Sequence, residues 1–432
     1  MEKKTLKVVM ICHFSNSLVR KHIKYSCGLL ESIIRFVLRR PLLQYDFNQW
    51  NTNAIKEFEK KENEVELHVI SPCYGMSKRD SIFCENGVHY YFFKDEFNLF
   101  TLFKNEIFKY HNDSFLKNRE YISKTIASIK PDIIHIIGAE NPSYSMAAFD
   151  IPENIPYIVQ LQTLMLDPEF KNAYPINSKT YEYRSCIEKN ILEKADYIGT
   201  RAEKYKKILT SLSLKHPILG TTLALTEPID LNKEKKEFDF VYFAFDISKA
   251  VDYAIEAFAM AFKEKPTITL DIVGAYSVQL KKQLDNRISK LGIQNNVFFE
   301  GKLATHDDVI RQITKSRFAL LPLKIDLISG TIRESMANGL PVITTITPDT
   351  PKLNEKRESV LLSPIGDHQA MAENMLKLLN DEGYAETLRK NAGITASERI
   401  NNERIIRKWI DAYHACIDNF KNGTPIPEHL LQ

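Results

Sequence analysis

Residues 326–345 read Asp326-Leu-Ile-Ser-Gly-Thr-Ile-Arg-Glu-Ser-Met-Ala-Asn-Gly-Leu-Pro-Val-Ile-Thr-Thr345. The Ser-Gly-Thr turn opens a short helix, and Gly339 and Pro341 end it. The β-branched run 342–345 then predicts a buried parallel strand. The stretch is therefore expected to form a loop, a helix, a turn and a strand of an α/β sheet.

The helix start within this stretch is suited to an anion. Residues 329–331 would present free backbone amides and the positive end of the helix dipole to a diphosphate. Asp326 and Glu334 lie eight positions apart around this turn, and their carboxylates can bind hydroxyls. Asp326 also follows the apolar run 318–323, at the carboxyl end of a predicted strand, where open α/β sheets bind ligands. The pattern predicts a sugar-nucleotide site.

The same residues also fit a helix start that needs no ligand. Thr331-Ile-Arg-Glu334 is a capping box, in which the Glu334 side chain would return to the Thr331 amide. The position of Asp326 after a strand favours ligand binding, but the sequence leaves both interpretations open.

Length and composition limit the class of protein. A chain of 432 residues predicts two domains of roughly 200 residues each. The hydrophobic fraction of 44% and the charged fraction of 26% are globular values. A net charge of +3 over this length gives no field that would favour nucleic acid as a partner.

Cysteine usage and hydropathy predict a cytoplasmic protein. The six cysteines are scattered without a Cys-x-x-Cys pair, which favours reduced thiols over a disulfide framework or a zinc site. The amino terminus has no apolar signal core, and the chain has no apolar run of 18 residues.

Two series of strand-like runs alternate with helical stretches and predict an α/β fold of two doubly wound, largely parallel sheets. The first series is 6–12, 66–71, 88–93, 133–137, 157–161 and 197–199, and the second is 238–244, 267–273, 297–299, 318–321, 341–345 and 359–362. The exposed connection 219–238 separates domains 1–222 and 223–403. Apolar spacing predicts an amphipathic helix over 250–262. The last helix, about 404–420, has no strand to follow it, so residues 404–432 are expected to cross back to the first domain.

Three further motifs occur in order before the 326–345 stretch: Lys249-Ala-Val-Asp-Tyr-Ala-Ile-Glu-Ala-Phe258, Leu270-Asp-Ile-Val-Gly274 and Val297-Phe-Phe-Glu-Gly301. With them, residues 236–395 resemble retaining glycosyltransferases of the group 1 type (family 4). The resemblance is weaker over the first half, where it rests on 7–11, 131–135 and 195–198. It implies the GT-B fold, in which two Rossmann-like domains face a central cleft, the first on the acceptor side and the second binding a nucleotide sugar.

The resemblance also implies roles for single residues. Asp326 and Glu334 match the two acids of the family's Glu-x7-Glu motif, so Asp326 is expected to contact hydroxyls of the transferred sugar and Glu334 those of the ribose. Aspartate is one methylene shorter than the family's glutamate. Lys249 matches the family's diphosphate-binding lysine, whereas Phe245 stands where an arginine is expected.

Other residues are expected to compensate for the missing arginine, because catalysis often depends most on stabilising the charge that develops on the leaving diphosphate. Arg333 and Arg201 could face the cleft, although an ordinary surface salt bridge is an alternative for each. Gln162 stands where the family has a histidine before threonine; it can position a sugar hydroxyl but cannot titrate. The predicted catalytic residues are Asp326, Glu334, Lys249 and Gln162, and the predicted donor-binding residues are Ser329, Gly330, Thr331, Arg333, Arg201 and Gly301.

The expected mechanism needs neither a protein nucleophile nor a metal. The family is thought to react by front-face attack, and no nucleophile elbow occurs in the chain. The chain also has no Asp-x-Asp triplet, so a helix terminus and Lys249 would take over a metal's charge role. No cofactor is expected beyond the nucleoside-diphosphate sugar itself. His13 and His135 are predicted to be structural, with His135 in the core.

Residues 17–40 predict a helix with a basic amphipathic face. Such a face could rest on an anionic membrane surface, at the inner side of the membrane, and present a lipid-linked acceptor. An ordinary helix packed on the sheet is the alternative.

The leading functional prediction is a retaining hexosyl- or related glycosyltransferase that extends a polysaccharide or another glycan from a nucleoside-diphosphate sugar. A GT-B-type epimerase or phosphorylase is the closest alternative among enzymes. A catalytically weak scaffold subunit that binds nucleotide or glycan is the alternative from another class, suggested by Phe245 and Gln162. No Gly-x-Gly-x-x-Gly follows a strand, which disfavours a nicotinamide dehydrogenase.

Overall fold

The computed structural model describes residues 5–26, 44–96, 114–173, 178–214, 216–225, 235–246, 250–324, 328–399 and 401–432. The chain divides into two compact units. Unit 1 comprises Met1–Leu43, Asn48–Ala224 and Asn402–Gln432, and unit 2 comprises Gln44–Phe47 and Leu225–Asn401.

Unit 1 is built on an eight-stranded sheet in the order β3-β4-β2-β1-β5-β6-β7-β8. Its strands are β1 (Leu6–Ile11), β2 (Val65–Cys73), β3 (Asp80–Glu85), β4 (Val88–Lys94), β5 (Ile133–Ile137), β6 (Tyr157–Gln160), β7 (Tyr197–Gly199) and β8 (Ile218–Leu219). Its helices up to this point of the chain are α1 (Ser17–His22), α2 (Gln49–Glu59), α3 (Leu116–Ile129), α4 (Pro142–Ser145), α5 (Pro168–Ala173), α6 (Ser178–Lys194) and α7 (Glu203–Ser211), with a 3-10 turn at Met146–Asp150.

All neighbouring strands of this sheet are parallel except β3 and β4. Those two strands form a hairpin whose loop is Asn86-Gly87, with φ of 50° and 76°. Positive φ at both loop residues is the geometry of a type I′ turn, which matches the twist of the flanking strands. The strand order reverses between β1 and β5, so a ligand site is expected where these two strands end.

The sheet of unit 1 is buried on both faces, which explains its continuous apolar strands. Val8 and Met10 of β1 face one apolar cluster, while Val9 and Ile11 face the other. All four side chains are fully buried. Because successive side chains of a strand point to opposite faces of the sheet, β1 contributes to both hydrophobic cores of unit 1.

Unit 2 is built on a six-stranded, wholly parallel sheet in the order β11-β10-β9-β12-β13-β14. Its strands are β9 (Phe238–Asp246), β10 (Leu270–Ala275), β11 (Val297–Gly301), β12 (Ser316–Leu321), β13 (Val342–Thr345) and β14 (Leu361–Ser363). Its helices are α8 (Val251–Glu264), α9 (Val278–Leu291), α10 (His306–Thr314), α11 (Gly330–Ala337), α12 (His368–Asn380) and α13 (Glu382–Arg399), with a 3-10 turn at Thr350–Asn354. Here the order reverses between β9 and β12, which marks the expected ligand edge of this sheet.

The last helix, α14 (Asn402–Asn422), completes the core of unit 1 and is followed by a 3-10 turn at Glu428–Leu430. Trp409 and Tyr413 are almost fully buried, and the Trp409 indole N–H donates to the carbonyl of Thr222 at 2.9 Å. Tyr413 Oη lies 2.7 Å from Nδ1 of His135, which is the buried, hydrogen-bonded core histidine that the sequence predicts.

The fold class predicted from the sequence is confirmed, since both units are doubly wound α/β sheets. Each predicted strand is found, and the predicted helix over 250–262 is α8. The hairpin strand β3 and the short β8 were not predicted. The Asn-Gly pair before β4 was the signal that could have revealed β3.

The predicted continuous helix over 17–40 is wrong. Helix α1 ends at His22, and Ile23 is extended, with φ of −107° and ψ of 122°. The physical reason is backbone pairing: Ser26 N donates to Gly75 O at 2.9 Å, and Tyr25 forms an antiparallel bridge with Met76. Residues 27–40 of the predicted helix lie outside the described part of the chain. Among the described helices, none is both long and apolar enough to cross a bilayer.

Candidate functional site

The segment that the sequence singled out forms a loop, helix and strand, as predicted. Helix α11 has Ser329 as its N-cap in an extended conformation, so the first-turn amides that follow have no acceptor within the helix. The Ser329 and Thr331 hydroxyl oxygens are 2.8 Å apart at this end. Gly339 closes the other end at φ of 74°, where any other residue would be strained. Because Ser329 is the cap, the Thr331–Glu334 capping box is not the start of this helix.

Glu334 contacts a histidine. Its Oε1 lies 3.3 Å from His306 Nε2, and both side chains are mostly buried. Burial by itself would lower the pKa of His306, but the carboxylate of Glu334, with smaller contributions from Asp46 and Asp307, outweighs it and raises that pKa above its ordinary value. The contact with His306 therefore holds the Glu334 side chain at the carboxyl edge of unit 2.

A short segment from far earlier in the sequence supports this pair. Asp46 accepts a hydrogen bond from the backbone N–H of His306 at 3.0 Å, and its own N–H donates to Ala304 O at 3.1 Å. Beside it, Lys302 Nζ lies 3.7 Å from the centroid of the Tyr45 ring. The sequence analysis missed both His306 and Asp46, because nothing in local spacing relates position 46 to positions 302–306.

Arg333 and Gly301 occupy different parts of the same edge. The Arg333 guanidinium donates to the carbonyl of Ile328 at 3.1 Å, so it holds the loop that leads into α11. Gly301, with φ of 75°, ends the edge strand β11, two strands away from β9. A Cβ at this position would lie 3.5 Å from the Tyr276 hydroxyl.

Lys249 and Asp326 lie outside the described residues, and their predicted roles are untested. The strands that lead into them, β9 and β12, are adjacent and parallel. Beyond β12 the backbone is held by Thr345, whose hydroxyl donates to Leu323 O at 2.6 Å and accepts from Leu323 N at 2.8 Å. The carboxyl ends of β9 and β12 therefore lie side by side at one edge of the sheet.

Gln162 lies at the corresponding edge of unit 1. Its amide nitrogen donates to Ile137 O at 2.7 Å and lies 3.2 Å from Tyr144 Oη and 3.3 Å from Glu140 Oε1. A Cβ on Gly138, at φ of 93°, would lie 2.1 Å from this nitrogen, so only glycine fits there. These bonds orient the Gln162 amide beyond the ends of β5 and β6.

Two buried acids of unit 1 were missed from the sequence, and one of them, Glu140, contacts Gln162. Burial raises the pKa of Glu140 to about 7 and that of Glu188 to about 8, and the charge of Glu140 adds to the effect on Glu188. Glu188 Oε2 accepts from Leu166 N at 2.9 Å, while Arg184 donates to the Glu140 carbonyl at 2.7 Å. Only folding brings Glu140 close to both Gln162 and Glu188.

The remaining predicted residues are placed as follows. His13 follows β1, and burial lowers its pKa to about 4, which keeps it neutral. Arg201 follows β7 and is exposed. The pKa of Lys408 on α14 is lowered mainly by burial and, to a smaller extent, by the positive charge of Arg201. Arg201 is therefore part of a positive patch on unit 1.

Comparison with known proteins agrees with this architecture. Residues 226–394 match the family model described as glycosyl transferases group 1. The N-acetyl-alpha-D-glucosaminyl L-malate synthase of Bacillus anthracis is 26% identical over 136 residues, which are 32% of this chain and 35% of that protein. The match therefore spans about a third of that relative's length.

Solved structures resemble the chain over nearly its whole length. Sucrose-phosphate synthase from Thermosynechococcus elongatus has a TM-score of 0.65 at 17% identity, covering 95% of this chain and 98% of that one. The apo structure of OtsA has a TM-score of 0.63 at 13% identity, covering 98% and 100%. Anabaena HepE, in complex with UDP and glucose, has a TM-score of 0.60 at 15% identity, covering 95% and 100%.

The chain has the GT-B fold, with two doubly wound units. In unit 2, the first-turn amides of α11 lie on the same short helix as the carboxylate of Glu334. Unit 2 contains all of the residues, 226–394, that match the family model described as glycosyl transferases group 1.

Proposed function

We propose that the protein is a retaining glycosyltransferase that moves a hexosyl or related sugar from a nucleoside-diphosphate sugar to a saccharide or lipid-linked saccharide, in polysaccharide biosynthesis. One observation carries the proposal: Glu334 is held by His306 on the helix whose free first-turn amides start at Gly330, within the segment that matches the family model.

The proposed donor is a UDP sugar. Anabaena HepE was solved with UDP and glucose, and the pneumococcal O-GlcNAc transferase GtfA with UDP and GlcNAc. In this chain, Glu334 would accept hydrogen bonds from the ribose hydroxyls. The amides of Gly330 and Thr331 would donate to the diphosphate, whose charge the helix dipole favours. Arg333, Lys249 and Gly301 complete the proposed donor side, and Asp326 would contact the sugar.

The proposed reaction is a front-face displacement. The bond between the anomeric carbon and the phosphate oxygen breaks, and the acceptor oxygen bonds to the same face of that carbon. The departing phosphate oxygen takes the acceptor's proton, so no protein nucleophile is needed. Gln162 would orient a hydroxyl beyond β5 and β6, and the amides at α11 would stabilise charge on the leaving group.

Metal independence is part of the proposal, since helix amides and Lys249 would do what a metal does elsewhere. Transfer by the purified chain should persist after treatment with a chelator. Loss of transfer on chelation and its recovery with manganese would contradict this.

The decisive experiment is thermal unfolding with UDP, GDP, ADP and CMP. UDP should raise the melting temperature, because a ligand that binds only the folded state stabilises it. Glu334→Ala should lose this shift and reduce donor turnover by about 100-fold or more, by removal of a direct substrate contact. Glu373→Ala, an exposed acid on α12 of the same unit, is the matched control.

The products separate this function from its alternatives. Transfer with retained anomeric configuration supports the proposal, an isomerised nucleotide sugar would instead indicate an epimerase, and nucleotide binding without turnover would indicate a scaffold subunit. Peripheral membrane binding through the basic residues of 17–40, without a continuous helix, is a further part of the proposal. Flotation with vesicles that contain anionic lipid, but not with neutral vesicles, would support it.

A further inference from the structure

Unit 1 carries a cluster of metal-ligating side chains that the proposed reaction does not use. Glu66 and His68 lie two residues apart on β2 and so project from the same face of the sheet. His89 on β4 is the direct register partner of His68. One ligand atom from each of these three residues lies within 4.8 Å of the other two.

The cluster lies away from the candidate site of unit 1. His68 is level with Val9 of β1, which is level with Ile134 of β5. Gln162 is held beyond the end of β5 at Ile137, three residues further along the strands, or about 10 Å. The cluster is therefore near the amino ends of the strands, where the sheet does not bind the proposed substrates.

His68 is the fixed member of the cluster. Only 5% of its surface is exposed, and its ring stacks on that of His89 with centroids 4.7 Å apart and planes at 14°. Its Nε2 lies 2.9 Å from Glu66 Oε1, and its Nδ1 lies 3.2 Å from Tyr91 Oη. Metal-binding histidines are commonly oriented in this way, because a hydrogen-bond partner at one ring nitrogen fixes the ring and leaves the other nitrogen to the ion.

Glu66 supplies the carboxylate of the cluster, and its side chain is partly exposed. The neighbouring cation is Lys7, whose Nζ lies 3.5 Å from Glu66 Oε1 and would be displaced from it.

We propose that Glu66, His68 and His89 bind a divalent transition-metal ion, with zinc as the probe, and leave at least one coordination position to water. Two imidazoles and one carboxylate are a ligand set that zinc takes in proteins. Zinc–ligand distances are about 2.0–2.2 Å, so ligands of one ion lie closer together than 4.8 Å and the cluster must contract by about an ångström. Glu66 and His89 are partly exposed and can make this movement, while His68 stays fixed.

With the ion bound, Nε2 of His68 would bind the metal, and Nδ1 would keep its contact with Tyr91 Oη, which orients the ring. The ion would then join β2 to β4, next to the edge strand β3, and stabilise unit 1.

The experiment uses the full chain, stripped with a chelator and then titrated with zinc or with cobalt as a spectroscopic substitute. One equivalent of zinc should bind and raise the melting temperature. His89→Gln and Glu66→Gln should each weaken zinc binding by about tenfold or more, and Tyr91→Phe by about tenfold, since it removes the hydroxyl that orients the His68 ring. His414→Gln, which removes an exposed histidine on α14, should leave the affinity unchanged.

Zinc affinity that is equal, within about twofold, in the wild-type chain and in both His89→Gln and Glu66→Gln would overturn the proposal, because loss of a ligand should cost more than that. A cobalt spectrum without nitrogen ligation would also overturn it. Because the site is remote from Gln162 and lies in a different unit from Glu334, the UDP-dependent thermal shift is expected whether zinc is bound or not. Failure of one proposal is thus distinguishable from failure of the other.

Discussion

At the level of single side chains, Glu334 has a partner that its position in the motif does not reveal. His306 Nε2 lies 3.3 Å from its carboxylate, and Asp46 holds the His306 backbone. An exposed ion pair would contribute little to stability, but a largely buried charge that loses its partner is costly. His306 therefore stabilises the position of the Glu334 carboxylate.

The first prediction concerns His306→Gln. Because the pKa of His306 is raised in the folded chain, its stabilising contribution is present below its ordinary value of 6.5 and is lost as pH rises through the folded value. The variant should thus be less stable than wild type at about pH 6 and approach it at about pH 9. Urea unfolding at both pH values measures this. His368→Gln, on α12 of the same unit, is the control, and an equal deficit at both pH values would contradict the prediction.

The second prediction concerns the buried acid Glu188. Its pKa is raised to about 8 from 4.5, so its folded form holds a proton that the unfolded chain releases, and stability falls as pH rises between these values. Glu188→Gln resembles the neutral acid, so its stability should not fall in this range. Its advantage over wild type should grow by on the order of 3 kcal/mol from about pH 5 to about pH 8. Thermal unfolding across this range tests it. Glu182→Gln, exposed on the same helix, should show no such gain.

At the level of elements, the end of β12 is fixed by hydroxyls from β13. Thr344 donates to Leu321 O at 2.7 Å, within the strand pair, while Thr345 makes two bonds to the backbone of Leu323, beyond the strand. Both threonines are fully buried. They differ in that only Thr345 holds the backbone of Leu323, where the chain leaves β12 toward α11.

The third prediction follows from this difference. Thr345→Val leaves the Leu323 N–H and C=O without the hydroxyl and should cost about 1–3 kcal/mol of stability. It should also lower donor turnover more than UDP affinity, because it loosens the path to Asp326. Thr344→Val is the matched control, with a similar loss of stability and unchanged turnover. Steady-state kinetics and urea unfolding of both variants decide it, and equal turnover in the two would contradict the prediction.

At the level of the whole molecule, unit 1 is not continuous in sequence. Helix α14 supplies Trp409 and Tyr413 to a core that otherwise comes from the first half of the chain. The Phe58 ring contacts both, with centroid distances of 6.3 and 6.4 Å. The chain end also pairs, since Leu431 bridges Leu219.

The fourth prediction is that Trp409→Ala lowers the free energy of unfolding of unit 1 by about 3–5 kcal/mol, because it leaves a cavity and removes the bond to Thr222 O. Denaturant unfolding measures the loss. His414→Ala, exposed on the same helix, should change stability by less than about 0.5 kcal/mol. A similar cost for both substitutions would show that α14 does not pack as described.

Much of the fold could be predicted because it depends on local patterns. The alternation of apolar strands and amphipathic helices predicted both sheets, and the Gly339–Pro341 stop predicted the end of α11. The helix over 17–40 failed because apolar spacing could not show that Tyr25 pairs with Met76. The motif likewise predicted Glu334 as a site residue but gave no signal for His306 or Asp46.

The sequence by itself determined the class of fold and the short helix that Gly339 and Pro341 end, because these follow from near-neighbour sterics and hydrophobic periodicity. Only the tertiary structure decided the partner of Glu334, the burial that raises the pKa of Glu140 and Glu188, and the grouping of Glu66, His68 and His89. Strand order and burial bring residues that are distant in the chain together, and electrostatic interactions depend on that spatial distance rather than on spacing in the sequence.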